Sequence, residues 1–185
     1  MAGVVTAGGA VWARGFGVVL RRAAPSDLEA PGIQRALRDG IERGYEGPLP
    51  AAPHCEAYAI RVNEATAGVL GVVRDVPRSG EITIWGVAIA PEHRGHAYGA
   101  RALFAAERRL HRDGPHGLYA RVPRTNGRGL YFVLRGGYAP MIAPVEDGAT
   151  WFRRNLKAVG LPAAVRRARE RPLKRRAARG STAGS

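Results

Sequence analysis

The segment that constrains this chain most is residues 81–110, EITIWGVAIAPEHRGHAYGARALFAAERRL. Its first ten residues are apolar on both faces, the pattern of a central β-strand. Pro91 breaks that strand, and a helix is expected over 98–113. Ala100, Leu103, Ala106 and Leu110 form the helix's apolar stripe, with Arg101, Arg108, Arg109 and Arg112 away from it. Glu107 falls inside the stripe, and the sequence names no partner for it. Between strand and helix lies a turn containing Gly95 and Gly99. Such a turn aims several backbone N–H groups at one point, at the positive end of the helix dipole. The glycines leave room for close approach, and Arg94 adds a charged donor. The pattern points to a diphosphate or another anion; a turn that binds nothing is the plain alternative.

The flanking sequence supplies the rest of an α/β domain. GFGVVLRRA (15–23) reads as a strand. Ser26 and Glu29 have the spacing of a capping box, and Ile33, Leu37 and Ile41 recur at helical spacing up to Gly44. AYAIRVN (57–63), AGVLGVVRDV (67–76) and EITIWGVAIA (81–90) follow one another so tightly that an antiparallel meander is expected. GLYARVPR (117–124) is a further strand, and a short helix spans 127–135 before Gly136-Gly137. Asp147-Gly148 marks a hairpin between a last pair of strands. Trp85, Tyr119, Tyr131 and Phe132 are expected to pack in the core.

Composition excludes several classes. The chain has 185 residues, 45% of them hydrophobic, enough for one domain with a core plus a tail. No apolar run reaches the length of a membrane span. The N-terminal stretch lacks a basic n-region, so no signal peptide is expected, and cytoplasm is the default location. A single cysteine, Cys55, rules out an internal disulfide and a multi-cysteine zinc site, and no metal site is expected. His54 beside Cys55 points the other way on an extended segment, which argues against a nucleophile–base pair. The net charge of +14 is unevenly placed. Residues 153–185 hold eleven Arg and Lys against Glu170 alone. The expected organisation is therefore a domain over 1–160 and a basic, partly disordered tail over 161–185. Charge of this density along 153–179 attracts RNA or the ribosome without base specificity, although a charge run is more often merely solvated.

IAPEHRGHAYGARAL resembles the acyl-CoA signature of the GNAT superfamily of N-acetyltransferases, Arg/Gln-x-x-Gly-x-Gly/Ala. Arg94 takes the first position and Gly99 the last, while Ala97 stands where the first of the family's glycines is usual. A second motif agrees: Asn126, then Phe132-Val133 in the family's Leu-Tyr positions, then Gly137-Tyr138 in its Gly-Phe positions. The resemblance covers residues 16–154 and implies a mixed, mostly antiparallel central sheet flanked by helices. It implies that Arg94, Gly95, His96, Ala97, Tyr98, Gly99 and Ala100 hold the pyrophosphate of acetyl-CoA. Val87, Ala88 and Ile89 would offer backbone groups to the pantetheine, and Asn126 would bind near the thioester. The family's usual tyrosine, which protonates the departing thiolate, is Val133 here, and valine cannot donate a proton.

The implied activity is direct transfer of acetyl from acetyl-CoA to a primary amine, on a small molecule or a peptide. An alkylamine is protonated near neutral pH, so a base is required. Many members carry a glutamate on the signature strand. Thr83 occupies that place here, and Glu81, two residues earlier on the same face, is the candidate base through a water; a solvated strand-start carboxylate is the rival reading. Two other functions remain open: a transferase of this fold working with charged tRNA through the basic tail, and a catalytically degenerate binding domain. The sequence leaves the oligomeric state, including a homodimer, undecided.

Overall fold

The computed structural model describes residues 10–49, 54–144 and 148–154. The expected tail, 161–185, lies outside the described residues, as do Glu146 and Asp147 of the expected hairpin.

Eight strands form one sheet: β1 (Val11–Gly15), β2 (Val18–Arg22), β3 (Glu56–Val62), β4 (Ala65–Arg74), β5 (Glu81–Ile89), β6 (Gly117–Pro123), β7 (Tyr138–Met141) and β8 (Ala149–Arg154). Their order is β1-β2-β3-β4-β5-β6-β8-β7. Every pair is antiparallel except β5–β6. A parallel pair needs a crossover, and the helix α3 (Tyr98–Arg112) supplies it. The other helices are α1 (Pro25–Glu29), α2 (Pro31–Asp39) and α4 (Gly127–Arg135). This is the mixed, mostly antiparallel α/β fold expected.

The two faces of the sheet are covered separately. Ala102, Leu103, Ala106 and Leu110 of α3 and Val133 of α4 pack with Leu20, Ile60, Leu70, Ile84 and Leu118. On the other face, Ile33 and Ala36 of α2 pack with Val69, Ala88 and Ala90. The alternation of Val69 and Leu70 between these two cores is strand periodicity made visible.

Several expectations need correction. The first strand is a hairpin: Phe16 (φ 55°) and Gly17 (φ 77°) form a two-residue turn with both residues left-handed. Phe-Gly is a poor turn signal, but the Phe16 ring meets Phe104 edge-on at 5.9 Å, which holds it there. The first helix is two helices, because Pro31 cannot continue α1. The residue that closes the N-terminus of α1 is Asp27, whose Oδ2 accepts from the Ala24 N–H at 3.0 Å. The second helix stops at Asp39 with Gly40 as its cap, well before Gly44. Trp85 is half-buried, with the Arg121 guanidinium 4.7 Å from its ring centre. Tyr131 is exposed, and its hydroxyl accepts from Arg135 Nη1 at 2.8 Å.

Glu107 now has a partner. Arg154 on β8 brings Nε within 3.4 Å of its Oε1, with both side chains almost wholly buried. Burial pushes the Glu107 carboxyl above the usual carboxylate range, against the pull of Arg154.

Candidate functional site

The parallel ladder between β5 and β6 is short. It pairs Glu81 with Gly117 through Ile84 with Ala120 and ends there. Both strands continue on their outer sides, β5 with β4 to Ile89 and β6 with β8 to Pro123. The two strands therefore part at their C-terminal ends and leave a wedge between them. A register shift accompanies the parting: Gly71 pairs with Gly86 and Val72 with Ile84, so Trp85 is an extra residue. A bulge of this kind twists a strand away from its neighbour.

Strand geometry tells which backbone groups face the wedge. The Ala90 N–H donates to the Ala67 carbonyl of β4 at 3.0 Å. In an antiparallel ladder alternate residues direct their polar groups to the same side. Ala88 therefore turns toward β4, and Val87 and Ile89 turn toward the wedge. Of the three residues expected to hold a pantetheine backbone, Val87 and Ile89 face the wedge and Ala88 faces β4; the Ile89 carbonyl accepts from Arg94 Nε.

The turn after β5 carries the second half of the site. Gly95 has φ 82°, and nothing lies within 4 Å of where a Cβ would stand, so its surface is open. Ala97 is also left-handed, at φ 59° and ψ 18°, and is the N-cap of α3. No side chain caps this helix, and its first internal bond runs from the Arg101 N–H to the Ala97 carbonyl. Tyr98, Gly99 and Ala100 thus lie in a first turn whose N–H groups have no partner within the helix, at the positive end of its dipole. Gly99 is buried, and a Cβ there would meet Ile89 at 3.4 Å and Val87 at 3.5 Å, so α3 starts flush against the strand edge. His96 stacks on Tyr98 with ring centres 5.3 Å apart and donates from Nδ1 to the Arg94 carbonyl at 2.9 Å.

Arg94 faces inward. Its Nη2 lies 2.8 Å from Asp39 Oδ2, and its Nε donates to the Ile89 carbonyl at 3.1 Å. The Arg94 guanidinium holds the Asp39 carboxyl below its ordinary range. Asn126 is the N-cap of α4: its Oδ1 accepts from the Gly129 N–H at 2.8 Å, and its Nδ2 donates to the Gly40 carbonyl at 2.7 Å. One lone pair and one hydrogen of that amide remain for a ligand. Thr125 Oγ1 donates to the Ile41 carbonyl at 2.7 Å. The loop after α2 is thereby tied to both lips of the wedge, through Asp39 on one side and through Thr125 and Asn126 on the other.

The expected base, Glu81, lies away from the open end of the wedge. Glu81 sits at the far end of β5, six residues before Val87 with a bulge between. At ~3.3 Å per residue that is about 17 Å along the strand, too far for its side chain and one water to span. Its Oε1 accepts from Tyr119 O–H at 2.7 Å, and its Oε2 is buried without a partner. Thr83 is fully buried and donates to the Val76 carbonyl at 2.7 Å. Val133 is buried in the core, and Tyr131, two residues away, is turned to solvent.

Sequence reasoning missed the arginines that line a cleft of about 770 Å³ beside the wedge, including Arg35, Arg38 and Arg43. Their signal was the spacing of Arg35 and Arg38, which lie off the Ile33–Ala36 face of α2.

The sequence profile described as Acetyltransferase (GNAT) family matches residues 27–133. The fold is similar to that of an acetyltransferase from Thermus thermophilus, at 22% identity and a TM-score of 0.55 over 75% of this chain and 97% of that one. It is similar to the GNAT domain of S. lividans PAT, at 12% identity and a TM-score of 0.59 over 77% of this chain and 96% of that one. It is also similar to the PaiA N-acetyltransferase of Thermoplasma acidophilum, whose structure is a complex with coenzyme A, at 13% identity and a TM-score of 0.56, over 75% and 99% of the two chains. No curated protein matches the chain. Among the described residues, no helix is long and apolar enough to cross a membrane.

Proposed function

Because the chain belongs to the GNAT acetyltransferase family, we propose that it transfers acetyl from acetyl-CoA to a primary amine in the wedge between β5 and β6. The observation that carries this reading is the end of the β5–β6 ladder at Ile84 and Ala120, next to an uncapped helix N-terminus. An extended arm with amide groups pairs with an open strand edge as another strand would, through Val87 and Ile89. A diphosphate suits the first turn of α3, where Gly95 leaves the approach open.

Acetyl-CoA supplies a thioester, whose carbonyl carbon is attacked directly by the amine nitrogen. The C–N bond forms, the C–S bond breaks, the amine loses a proton and the thiolate gains one. The N–H groups turned into the wedge suit an oxygen that gains negative charge in that step. Neither Glu81 nor Val133 moves the protons: the first is too distant and the second has none to give. Solvent serves both transfers in this reading, which predicts a rate that climbs with pH as the free amine becomes available.

A thermal melt with acetyl-CoA tests the reading. Ligand at 100 times its Kd adds about 2.7 kcal/mol, a rise of several degrees. A saturable rise that free adenosine does not reproduce supports the site, and its absence overturns it. The basic run over 153–179 supports a second reading, contact with RNA. Removal of residues 160–185 should then weaken RNA binding and its salt dependence while acetyl-CoA binding persists.

A further inference from the structure

We propose that the acceptor is an amine bearing its own carboxylate or phosphate, and that Arg35, Arg38 and Arg43 bind that anionic group. The proposal rests on the acetyl-transfer reading above and names the substrate class for it.

The cleft of about 770 Å³ beside the wedge is lined by α2, the loop that follows it, Arg94 and Arg128. Five of its side chains are arginines, and two, Asp39 and Glu46, are acids. Asp39 is already paired with Arg94, which leaves Glu46 against four guanidinium groups. Arg35 and Arg38 stand at i and i+3 on α2, so they share one face of the helix. The Nε of Arg38 is buried and has no hydrogen-bond partner. A buried charged donor with no acceptor is costly, and an incoming anionic oxygen would remove that cost. Arginine suits the task because its planar fork meets a carboxylate or phosphate with two parallel bonds.

The position of the cleft ties it to the reaction. Arg94 lines it while donating to the Ile89 carbonyl at the end of β5. Asn126 and Thr125 hold its loop to the other lip of the wedge. A molecule anchored on Arg35, Arg38 and Arg43 therefore lies beside the open strand edge. A cationic or polyamine acceptor would meet four like charges there and be repelled. The phosphates of the donor are the other anions within reach. They differ from the acceptor in having the uncapped first turn of α3 available.

The test compares amines in matched pairs: each L-amino acid with its methyl ester, and phosphoethanolamine with ethanolamine. Thiol release is followed at saturating acetyl-CoA, for the full-length protein and for the triple variant Arg35→Gln, Arg38→Gln, Arg43→Gln. Acetyl-CoA affinity is measured for both by titration calorimetry. We expect at least one acidic amine to exceed its neutral partner at least tenfold in kcat/KM. The triple variant should lose that advantage through KM while its acetyl-CoA Kd stays within twofold. Equal or better use of the neutral partners overturns the proposal, and so does acetyl-CoA binding with no amine of the panel used. A tenfold weaker acetyl-CoA Kd with the acid preference intact assigns the arginines to the donor's phosphates instead. Failure of the unmodified protein to bind acetyl-CoA overturns the acetyl-transfer reading itself, and this proposal falls with it.

Discussion

Arg94 and Asp39 join the turn before α3 to the end of α2, with Nη2 and Oδ2 2.8 Å apart. The same guanidinium reaches the last carbonyl of β5, so one side chain fastens three elements at the mouth of the wedge. A diphosphate bound at Arg94 would compete with the Asp39 carboxylate for that cation. Asp39→Asn should tighten acetyl-CoA binding two- to fivefold, read by titration calorimetry at low salt. Weaker binding would mean that Asp39 orients Arg94 for the ligand instead of competing with it.

The same pair makes a small pH-dependent contribution to stability. Arg94 lowers the carboxyl's folded pKa, so the contribution is present above the unfolded aspartate value of about 3.9 and is lost as pH falls through the folded one. Both side chains are partly exposed, so the loss should stay below about 1 kcal/mol. In urea unfolding, the difference between the native protein and Asp39→Asn should be full at pH 6 and shrink as pH falls below about 3.9.

Ala97 occupies a left-handed conformation that glycine adopts without steric cost. Ala97→Gly should stabilise the protein by about 1 kcal/mol and raise the melting temperature by roughly 2–4 °C. Acetyl-CoA affinity should not fall, since the turn keeps its shape. A lower melting temperature would show that the chain tolerates Ala97 without strain.

The buried pair of Glu107 and Arg154 predicts the opposite pH trend from Asp39. Burial raises the Glu107 folded pKa above its unfolded value, so the folded state binds the extra proton. That contribution is full below the unfolded value of about 4.3 and is lost as pH rises through the folded one. Arg154→Ala removes the counter-charge and the 3.0 Å bond from its Nη1 to the Gly137 carbonyl. It should cost several kcal/mol, about 3–5 at most for a stranded buried charge, and more at pH 8 than at pH 5. Adding Glu107→Gln should abolish the difference between the two pH values in chemical unfolding.

Much of this was legible in the sequence because it rests on short-range rules. Pro91, Gly95 and Gly99 marked the strand–turn–helix, and Gly136-Gly137 ended α4 where expected. The Phe16-Gly17 turn was hidden because an aromatic contact, not turn chemistry, holds Phe16 left-handed. The break at Pro31 was masked by the continuing helical spacing of Ile33 and Leu37. Glu81 looked suitable as a base because period-two alternation puts it on the right face. Only the register showed that the ladder ends three residues beyond it, with the open edge still farther on. The pairing of Glu107 with Arg154 spans α3 and β8, which no local pattern connects.

Glu81 accepts from Tyr119 O–H, and the proposed reading gives the pair a structural role. Glu81→Gln should leave kcat/KM within about threefold, as befits a residue about 17 Å from Val87 by strand rise. Tyr119→Phe should lower stability by about 1–3 kcal/mol by leaving a buried carboxylate without its donor. A hundredfold loss of kcat in Glu81→Gln at an unchanged melting temperature would contradict this assignment.

The central claim is that the edge of β5 beyond Ile84 receives acetyl-CoA. Residue-resolved amide hydrogen exchange, with and without acetyl-CoA, tests it most directly. The account predicts that Val87 and Ile89 gain protection together with Gly99 and Ala100, while Ala88, already turned to β4, does not change. Unchanged exchange at Val87 and Ile89 with acetyl-CoA bound would contradict it.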